Sequence, residues 1–168
     1  MFKSNRFIVL LAGFVFFMAF FGCAKKVRIP QVSQETQSAK EEEPSVHDKE
    51  YLSISELKNV NFFYDSVVIL PKARNILQSN AKYLKSHSEL EILVEGHCCE
   101  CGTAEYNLAL GQKRASVVRS YYINLGIPAG KIGTISYGEE KPININAGPP
   151  DSSLCSENRR VETKTRVK

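Results

Sequence analysis

VEGHCCECGTAEYNLALGQKRASVV, running from Val94 to Val118, decides how this chain folds. It begins inside a strand: Leu90, Ile92 and Val94 alternate with Glu91, Leu93 and Glu95, and the run stops at Gly96. A loop follows from His97 to Gly102, and Thr103 is placed to cap a helix. Along that helix Tyr106, Leu110, Arg114, Val117, Val118, Tyr121 and Leu125 fall on one face, until Gly126 and Pro128 end it. Arg114 breaks the apolar pattern. Four residues after Leu110 and three before Val117, it is on the core-facing side. A buried guanidinium usually has an anionic partner, so Arg114 is read either as half of an internal salt bridge or as a bidentate receptor for a ligand carboxylate.

Working outward, Val60 to Tyr64 reads as a strand that ends in the polar turn Asp65–Ser66. Pro71 suits a first helical position, and behind it Ala73, Ile76, Leu77, Ala81 and Leu84 recur at spacings of three and four. Downstream, Ile132 to Tyr137 forms a strand. So does Val161 to Val167, where Val161, Thr163, Thr165 and Val167 alternate with Glu162, Lys164 and Arg166. Asn144 to Ser153, between them, is rich in turn formers, and there is no internal repeat. The pattern is β-α-β-α-β-β, an α+β sandwich with two helices packed on one face of a mixed four-stranded sheet.

Upstream, Lys3 and Arg6 precede fifteen uncharged residues, Phe7 to Phe21, and then Gly22 and Cys23. This is the shape of an export signal, and it is short of the ~20 apolar residues that a permanent span requires. Residues 1–22 are therefore read as a signal peptide, 23–55 as a flexible periplasmic tether and 56–168 as the folded domain. The tether stretch Gln31 to Glu50 is rich in Gln, Ser, Glu and Lys and cannot bury enough surface to offset its ordering entropy.

The formal charge is +4; taking Lys3 and Arg6 from the 22 basic residues leaves 20 against 18 acidic ones. That balance is too mild for a nucleic-acid binder, which needs a dense basic stripe. A hydrolase is disfavoured as well, because His47 is in the tether, His87 is at a polar helix end, and no serine or acid has an identifiable relation to either. A competing reading is a cysteine-based redox or metal-binding protein. His97, Cys98, Cys99, Glu100 and Cys101 crowd five potential ligands together, with a C-x-x-C spacing from Cys98 to Cys101. A structural zinc site normally draws a second pair from elsewhere, and here only Cys155 is available. No cofactor or resident metal is therefore expected.

The quoted stretch, together with ISYGEEKP at 135–142 and ENRRVE at 157–162, resembles the peptidoglycan-associated lipoproteins and the wider OmpA-like domain family over about Val60 to Val167. Gly22–Cys23 resembles a lipobox, although Phe20 and Phe21 depart from the residues usual there. The resemblance implies a lipid-bearing Cys23 and, since Ala24 is not aspartate, an outer-membrane location with the domain facing the periplasm. It implies no catalysis. What it implies instead is non-covalent binding of peptidoglycan through the diaminopimelate of the stem peptide, a TolB-like partner, and a place in the Tol-Pal system that keeps the outer membrane attached during division. The positions matched to the family's cleft are Tyr64, Asp65, His97, Cys99, Asn107, Leu110, Arg114, Asn158, Arg159 and Arg160, with Arg114 holding a carboxylate. On that reading Arg114→Ala abolishes wall binding without unfolding the domain.

One departure stands out: family members usually carry aspartate where this chain has Cys99, and arginine where it has Cys101. Once Cys23 is acylated, four cysteines remain in an oxidising compartment, where disulfides persist. Four permit three pairings, and free thiols are the alternative. In the resembling fold the loop and the segment before ENRRVE flank one cleft, so a Cys101–Cys155 bridge is the preferred expectation.

Overall fold

The centre of the sheet is the strand at the head of the quoted stretch, β2 (Leu90–His97), buried along nearly its whole length. A strand covered on both faces must pair on both edges. One edge runs parallel to β3 (Ile132–Gly138), with Val94 opposite Thr134; the other runs antiparallel to β4 (Arg160–Val167), with Val94 opposite Thr163. The short β1 (Val60–Asn61) closes the far side of β4, giving the order β1-β4-β2-β3. The structure is a computed structural model and describes residues 50–168; the expected signal peptide, Cys23 and most of the expected tether lie outside the described residues.

Parallel neighbours need a long crossover, and the helix between β2 and β3 supplies it. This helix (Ala104–Asn124) and the earlier one (Pro71–Ser86) are α2 and α1 in chain order. Pro71 starts α1, since its missing N–H would have had no partner there anyway. Thr103 caps α2, its Oγ1 accepting from the Tyr106 N–H at 3.2 Å. Leu77 and Ala81 of α1 and Ala115 and Val118 of α2 join Ile92, Val94, Ile132 and Val161 of the sheet in one apolar core. The opposite face of the sheet is charged, with Arg166–Glu91 at 2.9 Å, Lys164–Glu95 at 3.0 Å and Arg160–Glu162 at 2.6 Å.

Four expectations change. The first strand does not reach Tyr64: after Phe62 donates to Arg159 O at 2.9 Å, the chain leaves the sheet, and Asp65 turns it with φ of 49°. The carbonyls that would have continued the ladder are taken by arginines, Phe62 O by Arg159 Nε at 3.2 Å and Phe63 O by Arg114 Nη2 at 3.1 Å. The buried face of α2 keeps the expected Leu110, Arg114 and Val118 but is shifted around the helix at its edges. Asn107, Gly111, Ala115 and Tyr122 are inside, whereas Tyr106 is 51% exposed and Tyr121 only partly covered. Tyr122 gains the core because its hydroxyl finds Asn80 Nδ2 at 3.1 Å and Thr163 Oγ1 at 2.9 Å.

A short third helix, α3 (Ser153–Asn158), stands where only turns were expected, its first turn held by Ser152 Oγ accepting from Cys155 N at 3.0 Å. Finally, the fold begins before residue 56, since Leu52 and Thr165 exchange backbone hydrogen bonds of 2.8 and 2.9 Å. Among the described residues no helix is long and apolar enough to cross a membrane.

One contact fixes α2 on the sheet. Gly96 and Gly111 meet backbone to backbone, so that a Cβ on Gly96 would lie 2.0 Å from Gly111 O. This close approach sets the depth at which the first half of α2 sits, and with it the positions of Asn107, Leu110 and Arg114.

Candidate functional site

Where β1, the β2–α2 loop and the start of α2 converge, a small cavity of about 20 Å³ opens to solvent. Its floor is Arg114, with no accessible surface and a full set of neighbours: Nε donates to Ser66 O at 3.0 Å, Nη1 to His97 O at 3.0 Å and to Cys98 Sγ at 3.4 Å, and Nη2 to Phe63 O at 3.1 Å. A guanidinium has five N–H donors. Four are used, which leaves one on Nη2 for anything else. Among the described residues no carboxylate forms an ion pair with Arg114, so neither a salt bridge nor a free bidentate fork describes it. Burial lowers its pKa, partly offset by Cys98, Cys99 and Asp65 nearby.

Tyr64 and Asp65 form one rim and Tyr106 the other, joined by a hydrogen bond from the Tyr106 hydroxyl to Asp65 Oδ1. That bond raises the Tyr106 pKa, because a phenolate beside a carboxylate is disfavoured. Asp65→Asn is expected to let Tyr106 titrate nearer its ordinary value, a fall readable by NMR of the ring carbons against pH.

Asn107 and Leu110 line the side wall, and Asn107 Nδ2 holds the loop through Cys99 O at 3.2 Å and Glu139 Oε2 at 2.5 Å. Arg159 supplies a second cation, donating to Pro150 O at 2.8 Å and Cys155 Sγ at 3.2 Å. All four described cysteines are free thiols. Cys98 packs against Arg114, and burial pushes its thiol up to about 11 despite that cation. Cys99, Cys101 and Cys155 form a separate group, with Cys101 and Cys155 Sγ unbonded at 3.7 Å. Burial works against the Cys99 thiolate, but hydrogen bonds from Cys155, Cys101 and Arg159 outweigh it and lower the thiol. Burial, and then the neighbouring Cys99 and Cys155, push Cys101 up to about 12.

Of the residues singled out from the sequence, the structure brings Tyr64, Asp65, Cys99, Asn107, Leu110, Arg114 and Arg159 to one cavity. Three do not line it. His97 follows Glu91 and Glu95 at even spacing, so it faces the charged side of the sheet. There it lies 3.7 Å from Glu95 and stacks on Tyr137. Arg160 is on that side too, bonded to Glu162 and to Lys141 O. Asn158 is buried and pins the chain at 143–144, accepting from both backbone N–H groups and donating to Asn144 O. The sequence reading gave no wall-binding role to Tyr106, Cys98 or Glu139, and took Cys98 only as a candidate ligand of the competing metal or redox reading, although all three fall inside the quoted motifs.

Comparison with known proteins settles the family. The OmpA family profile matches residues 61–154. A peptidoglycan-associated lipoprotein of Agrobacterium fabrum is 36% identical over 146 residues, covering 87% of this chain and 81% of that protein. The chain belongs to the peptidoglycan-associated lipoproteins of the OmpA family. The Haemophilus influenzae lipoprotein of the same name is 45% identical over 102 residues, or 61% of this chain and 65% of that protein. The crystal structure of the peptidoglycan-associated lipoprotein from Burkholderia pseudomallei superposes with a TM-score of 0.60 at 40% identity, over 64% of this chain and 89% of that one. The periplasmic domain of Helicobacter pylori MotB shares the fold at 20% identity and a TM-score of 0.55. The α+β class read from the sequence is thus the OmpA-family fold, and a member of this family is not an enzyme.

Proposed function

We propose that the cavity over Arg114 binds the stem peptide of peptidoglycan without covalent chemistry, and that a lipidated Cys23 ties the domain to the outer membrane. The observation that carries this reading is the charge layout. Two buried cations, Arg114 and Arg159, line the inner end of the cavity, and the Asp65 carboxylate is at the mouth. A diaminopimelate residue presents both a carboxylate and an ammonium, so it meets an opposite charge at each end of such a cavity. The single unused Arg114 N–H makes the carboxylate contact one-pronged, with the buried charge supplying the rest. The A. fabrum and H. influenzae relatives carry the peptidoglycan-associated name, which supports the same ligand. A TolB-like partner, and a role in holding the envelope together during division, complete the proposal.

The test is sedimentation of the full-length protein, in detergent, with purified sacculi. Wild-type protein pellets. Asp65→Asn, which removes an exposed charge and leaves the core intact, weakens retention about tenfold, the worth of one charge-assisted contact. Undiminished retention of Asp65→Asn, or none of the wild type, contradicts the reading.

A further inference from the structure

The geometry points to Cys99, Cys101 and Cys155 as a zinc-binding site, with three thiolate ligands and a fourth position open to the cavity. The three Sγ atoms all lie within 4.8 Å of one another. Zinc–thiolate bonds are about 2.3 Å, so two sulfurs of one tetrahedral zinc sit roughly 3.8 Å apart; Cys101 and Cys155 are at 3.7 Å. The ligands come from two separate segments, the β2–α2 loop and α3, which is the arrangement structural zinc sites use and the one that C-x-x-C spacing in the loop failed to supply. Cys98, the other half of that spacing, is turned away, donating to Asn107 O at 3.3 Å and accepting from Arg114. His97 is on the far side of the sheet.

Charge selects the ion. Three thiolates carry −3, a zinc ion +2, and the Arg159 guanidinium, whose Nη1 is 3.2 Å from Cys155 Sγ, +1. The sum is zero, the condition for leaving a charged group in a buried place. Arg159 thus serves as the outer hydrogen-bond donor to a ligand sulfur. Binding exchanges three thiol protons for one zinc ion, with no change of oxidation state. Cys99 and Cys101 line the cavity, so the fourth position faces it and takes water or a carboxylate oxygen. A second group, Glu95, His97 and Glu162, is also close enough to hold an ion. Its carboxylates, however, are already paired with Lys164 and Arg160.

The site shares its cavity with the wall-binding reading but does not rest on it, and its test needs no peptidoglycan. Full-length protein isolated from membranes, reduced and stripped of metal, is titrated with cobalt(II). The expected result is one equivalent bound, with thiolate-to-cobalt charge transfer and the intense visible bands of tetrahedral coordination, both erased by zinc. Cys155→Ser and Cys101→Ser each weaken binding more than about 100-fold, beyond the loss typical of an outer-shell change, and His97→Gln leaves the spectrum unaltered. Because Cys155 is buried and its serine variant is at risk of misfolding, the less deeply buried Cys101 keeps the test decisive. Pale octahedral cobalt, or equal binding by Cys101→Ser, overturns the proposal. So does a Cys101–Cys155 disulfide in protein whose thiols were trapped straight from the envelope.

Discussion

Arg114→Ala is expected to cost the domain about 3 kcal/mol or more, and so to fail first as a folded protein and only then as a binder. The residue joins three pieces of chain: the turn after β1 through Phe63 O and Ser66 O, the end of β2 through His97 O, and the loop through Cys98 Sγ. Removing the side chain leaves those acceptors without their donor, at roughly 1–3 kcal/mol for each one that stays buried and unpaired. A domain of this size has only about 5–15 kcal/mol in hand. Urea unfolding measures the loss as a shift in midpoint at unchanged slope. Arg114→Lys restores the charge but not the planar fork, and recovers only part of the stability. A midpoint for Arg114→Ala equal to that of the wild type would show that these bonds carry no weight. The consequence for binding studies is direct: the variant that the sequence suggests as a clean probe of the cavity is not one, and Asp65 on the exposed rim is the better choice.

Gly96→Ala is expected to be of similar severity for a different reason. The new Cβ would lie 2.0 Å from Gly111 O and 2.6 Å from Gly111 C, both backbone atoms of α2, so relief requires the helix itself to lift from the sheet. Overpacking of this kind costs about 1–3 kcal/mol, occasionally more, and nothing is gained in return. Gly111→Ala is the informative companion. Its Cβ meets Ser136 Oγ at 2.3 Å, a side chain that can rotate, and Gly96 O at 3.0 Å. Alanine also gains about 1 kcal/mol in a helix relative to glycine. Gly111→Ala is therefore expected to be the milder of the two by thermal unfolding, and the reverse order would contradict the packing argument. In Gly96→Ala the lift should also displace Asn107 and Leu110, and with them the cavity wall.

The strands and both long helices were legible because their apolar spacing is regular, and the motifs around Asn107, Leu110 and Arg114 carried the family. What was not legible was set by contacts distant in sequence. The first strand is cut short because Arg159 and Arg114, far along the chain, take its carbonyls. The face of α2 was placed correctly at Leu110, Arg114 and Val118, but spacing alone also put Tyr106 and Tyr121 on it. Asn80 and Thr163 decide instead in favour of Tyr122. The turn-rich stretch hid α3, whose cap at Ser152 follows a Pro–Pro pair. For His97 the signal was present: counting by twos from Glu91 puts it with Glu95 on the charged face. That Cys155 approaches Cys101, 54 residues away, was expected only through the family resemblance, and that Cys99 joins them was not readable at all.

The central claim is that the cavity over Arg114 recognises a zwitterionic stem peptide, and the most direct measurement is calorimetric titration of the full-length protein with a soluble diaminopimelate-containing stem peptide. The account predicts saturable binding at one site, weakened about tenfold by Asp65→Asn and weakened also when the diaminopimelate is replaced by lysine, which lacks the second carboxylate. Binding that is absent, or that is indifferent to both changes, would contradict it.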